Sequence, residues 1–112
     1  MTMGEPEIHD VAVLLERIRI QSREDNFRLT QHAQKEMAEE DIILSEVQEA
    51  IAQGMILENY PEHQRGACCL VHGFTQGNRP VHIVCTTAQP ILIIITVYEP
   101  KPPKWITPTQ RR

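Results

Sequence analysis

The feature that most limits this chain is a change of period at Gly54. Before it, apolar residues recur every three or four positions: Ile8, Val11, Ala12, Leu15 and Ile18 form one stripe, Ala33 and Met37 a second, Val47, Ala50 and Ile51 a third. After it, apolar and polar residues alternate through MILENY, GACCLVHGF, RPVHIVCTTA and PILIIITVYEP. A period near 3.6 lines up side chains on a helix face, and a period of two lines them up on a strand face. The chain is therefore expected to place helices first and strands second, as an α+β domain. PEHQR, TQGN and AQP lie between the strand candidates and suit hairpins. The simplest architecture is N-terminal helices packed on one face of a four-stranded antiparallel sheet, a meander.

Local signals set the expected boundaries. Pro6, with Glu5, Glu7 and Asp10 nearby, suits the start of the first helix. FRLT, in which Phe27 and Leu29 alternate, reads as a short strand or an extended lead-in. Thr30 is placed to cap a second helix over QHAQKEMAEE. Ser45 and Gln48 have the spacing of a capping box for a third, which Gly54 would end in a left-handed conformation. The tail KPPKWITPTQRR is too rich in proline to continue a ladder, although Trp105 is expected to fold back and anchor it.

A length of 112 residues gives interior for one core. One domain is expected: an added N-terminal helix over 1–24, a core over 27–99 and a proline-rich tail over 100–112. Hydrophobic residues at 41% and charged residues at 23% exclude a disordered chain. The start lacks the basic and apolar pattern of a secretory signal, and the longest aliphatic run, Ile91 to Ile95, is too short for a bilayer. A cytoplasmic protein with no membrane association is expected, with Cys68, Cys69 and Cys85 reduced. The net charge of −4 is unevenly spread: residues 1–60 hold 13 acidic against 5 basic side chains, and residues 61–112 hold 2 against 6. A basic second half could face phosphates, although helices also simply carry more Glu than strands do.

His82 interrupts the apolar run RPVHIVCTT, and His82, Val84 and Thr86 share one strand face opposite Val81, Ile83 and Cys85. If the AQP hairpin pairs Thr86 with Leu92, His82 falls opposite Thr96 and diagonal to Tyr98. His72 joins this face in one register and leaves it in the next. An imidazole titrates near neutrality, and a positioned general acid or base contributes roughly 10² to 10⁴ in rate. RNA carries its own nucleophile in the 2′-hydroxyl, so cleavage needs a base, an acid and cations near the phosphate. His82, His32 and Tyr98 are the catalytic candidates, with Arg79, Thr96 and Arg65 as substrate-binding groups. The competing view of His82 is a packing histidine satisfied by a neighbouring hydroxyl. His32 and Glu36 are four apart on a helix and also suit a solvated face. Cys68 and Cys69 point to opposite strand faces and cannot form a metal knuckle, while Cys85 sits among apolar side chains that make it inert. No cofactor and no metal are expected. Phosphate-cradling glycine loops, nucleophile elbows and zinc helices are absent.

The order TQHAQKEM, DIILSEVQEAIAQG, ILENYP, LVHGF, RPVHIV and TVYEP resembles the domain-of-unknown-function 4258 family over about residues 29–105. That family looks like a distant relative of the RelE-type and barnase-like ribonuclease toxins, in which N-terminal helices pack on a small antiparallel sheet. The resemblance implies a small toxin-like RNA-binding or RNA-cleaving domain without a metal, and an antitoxin-like protein partner. His32, His82 and Tyr98 match the family's typical polar positions, whereas Arg79 and His72 do not belong to its pattern. Glu36 and Glu40 stand where that family usually carries arginines. The alternative is a non-catalytic interaction module that forms a homodimer or binds a partner through its N-terminal helix.

Overall fold

The computed structural model of the chain describes residues 10–112. The reading of the first helix from Glu5, Pro6, Glu7 and Ile8 therefore lies outside the described residues. Helices α1 (Val11–Arg23), α2 (Gln31–Glu40) and α3 (Leu44–Ala52) come first, with the short strand β1 (Phe27–Leu29) between the first two. Strands β2 (Met55–Tyr60), β3 (Cys68–Phe74), β4 (Pro80–Thr86) and β5 (Leu92–Tyr98) follow, then a small hairpin of β6 (Trp105–Thr107) and β7 (Gln110–Arg111).

The architecture is α+β, but the sheet is not the expected four-stranded antiparallel meander. It has five strands in the order β1-β5-β4-β3-β2, and β1 runs parallel to β5, with Phe27 opposite Leu92 and Leu29 opposite Ile94. Three residues are too few to display an alternation, and a parallel partner must be reached by a crossover. Here the crossover is everything from α2 to β4, so nothing local in FRL announces its partner.

Each helix start has its own cause. Asp10 caps α1 by accepting from the Ala12 N–H at 3.0 Å, and Thr30 caps α2 by accepting from Ala33 at 3.0 Å, as its sequence predicts. The Ser45–Gln48 capping box does not form. The cap position of α3 is Ile43, whose N–H donates to the Glu46 carboxylate at 3.0 Å, while the Gln48 amide reaches across to the Ser22 carbonyl of α1 at 3.0 Å. Gly54 also differs from expectation, since its backbone is not left-handed. A Cβ there would lie 2.6 Å from the Ala50 carbonyl oxygen and 2.8 Å from Val71, so the glycine permits close helix–sheet approach instead. In α1 the buried side chains are Leu14, Ile18, Gln21 and Ser22, while Val11 is exposed. The run from Val11 to Leu15 is apolar all round, which is why its inward face is ambiguous in sequence.

All three helices cover one face of the sheet. Ile18, Ala33, Met37, Val47, Ala50 and Ile51 pack there against Cys69, Val71, Val81, Ile83, Cys85, Ile94 and Val97. Burying each aliphatic side chain contributes roughly 1.5–3 kcal/mol, so this layer holds most of the stability. On the other face lie His72 and His82, and the tail covers His82 through Trp105 and Pro108. Trp105 does anchor it, with 2% of its surface exposed, yet the tail also builds a two-stranded sheet of its own around Pro108.

Candidate functional site

The site begins with the register of β4 on β5. Cys85 lies opposite Ile94, one residue beyond the pairing expected from the AQP hairpin, and a bulge beside Val84 adds one more. His82 therefore stands opposite Tyr98 rather than Thr96, and Thr96 stands opposite Val84. Two shifts of one residue restore the face, because side chains alternate with a period of two. On the other side His72 is directly opposite His82, so both imidazoles occupy the face away from the helices.

His82 has no exposed surface. Its Nε2 lies 2.7 Å from the Pro108 carbonyl oxygen and its Nδ1 lies 3.1 Å from the Tyr98 hydroxyl. A carbonyl only accepts, so Nε2 carries the proton and Nδ1 accepts from the phenol. Burial drives the His82 pKa down to about 4, partly opposed by the Pro108 carbonyl, which favours the protonated ring. Burial likewise lowers the His72 pKa and raises that of Tyr98. Trp105 closes over His82 edge-on, with ring centroids 4.5 Å apart. The imidazole at 82 is thus neutral, satisfied and out of reach of any ligand in this state.

Next to it, an open groove of about 470 Å³ runs between α2 and the tail, lined by His32, Glu36, Thr96, Tyr98, Lys101 and Lys104. His32 is its most available titratable ring, with 62% of its side chain exposed and Nε2 3.3 Å from Glu36. The glutamates here are structural. Beyond the short β1, the edge of β5 has free N–H groups, and Glu36 accepts from Val97 at 2.9 Å while Glu40 accepts from Glu99 at 2.8 Å. Four residues of helix rise about 6 Å and two residues of strand about 6.6 Å, so carboxylates at i and i+4 match alternate strand amides. Glu99 is itself paired with Arg79 at 2.9 Å. Among the described residues, Lys101 and Lys104 are the groove charges with no ion pair or side-chain hydrogen bond.

The predicted site residues thus separate into three places. His32, Thr96 and Tyr98 line the groove, and His82 lies beside Tyr98 on the neighbouring strand. Arg79 does not reach it: its guanidinium bonds Glu99 and the carbonyl of Asp41, 2.9 Å away in each case, at the C-terminal end of α2. Arg65 is exposed in the β2–β3 turn. Lys101 and Lys104 were missed because the tail shows no period, yet two lysines beside Pro-Pro and Trp105 were visible as a rigid basic segment. Cys85 is buried, and its hydrogen bond with Cys69, then burial, push its thiol pKa well up. Among the described residues no group of three or more His, Cys, Asp or Glu side chains is arranged to hold a metal, and no helix is long and apolar enough to cross a membrane.

A family model described as "Domain of unknown function (DUF4258)" matches residues 29–99, which spans β1 to the end of β5 and includes His32, His82 and Tyr98. Neither the curated proteins nor the solved structures contain a match to the chain.

Proposed function

The chain belongs to the family of the Domain of unknown function (DUF4258), and from that premise we propose that its groove binds single-stranded RNA and cleaves it without a metal. The carrying observation is the convergence of His32, Tyr98, Lys101 and Lys104 on one open groove. Lys101 and Lys104 attract the phosphate. The phenol proton of Tyr98 is committed to His82, so its oxygen meets a ligand as an acceptor and suits a base N–H or amino donor, leaving the 2′-hydroxyl proton to His32. His32 takes the 2′-hydroxyl proton, the 2′-oxygen bonds to phosphorus, the P–O5′ bond breaks, and the leaving oxygen takes a proton from a lysine ammonium or water. His82 acts as a positioning residue that holds Tyr98. The setting is cytoplasmic, and the toxin-like character predicts an antitoxin-like protein partner.

The test is cleavage of an RNA oligonucleotide in EDTA. His32→Ala is expected to lower the rate roughly 10²-fold or more with an unchanged circular dichroism spectrum. An oligonucleotide with 2′-deoxyribose at the cleaved position should resist. Cleavage that persists in His32→Ala, or that requires added Mg²⁺, contradicts the proposal.

A second reading, self-association through α1, has its own observation. Val13 and Ile20 are 54% and 36% exposed and border an apolar cleft of about 550 Å³ with Ala12 and Pro90. A second copy presenting the same face would bury both. Light scattering tests it: a dimer that Val13→Glu converts to monomer supports the reading, and a monomeric wild type removes it.

A further inference from the structure

We infer that the C-terminal hairpin of β6 and β7 is a removable cover over a second, histidine-lined half of the groove, and that His72 and His82 reach a ligand when it opens. The inference rests on the RNA reading above and names the control of that same site.

The two faces of the sheet are built differently. The helix face is aliphatic, whereas on the opposite face the hairpin covers His82, with His72 and Tyr98 on either side of it at ring-centroid distances of 5.2 Å. Among the described residues His72 Nδ1 is buried on this face with no hydrogen-bond partner, and an unpaired buried group weakens the packing over it.

The fastening is local. Arg111 grips Glu58 of β2 with two bonds of 2.9 and 2.7 Å and lies over the Trp105 ring at 4.6 Å, and His82 donates to the Pro108 carbonyl at 2.7 Å. A hairpin of three plus two residues has no independent stability. Its release costs none of the helix-face core, so opening is a local event and not global unfolding.

Opening also changes the chemistry. Both imidazoles return to water, and the burial that suppresses their charged forms is gone. Because Tyr98 and Trp105 border the open groove, the uncovered histidines extend it without a gap. One of them then protonates the leaving 5′-oxygen in place of water.

The experiment uses the full chain carrying Arg111→Ala, an exposed side chain on the outer hairpin strand. Diethyl pyrocarbonate modification is followed for each histidine by mass spectrometry, with exposed His32 and His63 as references, alongside RNA cleavage. Modification of His72 and His82 is expected to rise roughly three- to tenfold over wild type while the references stay constant. Cleavage should rise with it. Unchanged modification of His72 and His82 overturns the inference, whatever the cleavage rate does, and so does a rise matched by faster amide exchange in the core strand β4. Faster modification with no cleavage in either protein supports the cover and overturns the RNA reading instead. Trp105→Ala, which removes the anchor itself, should exceed Arg111→Ala in modification rate; a smaller rise contradicts the cover.

Discussion

His82 carries its burial through two hydrogen bonds, and that makes its protonation a stability switch. Its pKa is about 4 in the folded chain, against about 6.5 for an unfolded histidine. As pH falls below 6.5 the unfolded chain takes up the proton first. The contribution is therefore fully present above pH 6.5 and is lost as pH falls toward 4, on the order of 3 kcal/mol in all. Urea unfolding at pH 7 and pH 4.5 should show most of that loss, and His82→Phe should flatten the dependence. Equal loss in His82→Phe would assign the acid sensitivity to other groups. A second residue-scale outcome concerns Glu36. Glu36→Ala leaves the Val97 N–H unpaired at a half-buried edge, costing about 1–3 kcal/mol, and should speed amide exchange at Val97 but not at Val81. The sequence makes the spacing of His32, Glu36 and Glu40 plain. It cannot reveal that the partners of the glutamates are strand amides some sixty residues away.

At the scale of elements, Thr30 does two jobs. It caps α2 and donates its hydroxyl to the Ile95 carbonyl at 2.9 Å, beside the β5 bulge. Thr30→Ala is expected to cost about 1–2 kcal/mol, and Thr30→Ser much less, by thermal or chemical unfolding. Gly73 is more severe. A Cβ there would strike the backbone of Ala50, forcing α3 off β3, so Gly73→Ala should cost about 3 kcal/mol or more. The Thr30 cap of α2 and the four long strands were legible because their signals are local. The phase of α1, the start of α3 and the β4–β5 register were not. Each depends on a neighbour distant in the chain: the packing of α1 on α3, the reach of Gln48 to Ser22, and the bulge opposite Val84.

Across the whole molecule, helices, sheet and hairpin make three layers of unequal strength. The charge imbalance between the chain halves does not separate into an acidic face and a basic one. Glu36 and Glu40 from the first half meet Lys101 and Lys104 from the second along the groove, where the carboxylates accept from backbone amides of β5 and the residue after it. The position of His82 on its strand face was visible in the sequence, and so was its kinship with Tyr98. Its cover was not, because a tail with four prolines among thirteen residues carries no periodic signal. The most direct measurement of the central claim is an NMR titration of the labelled protein with a single-stranded RNA oligonucleotide in EDTA. The account predicts shift changes concentrated at His32, Thr96, Tyr98, Lys101 and Lys104. No change there, or changes confined to Val13, Ile20 and their neighbours on α1, would contradict it.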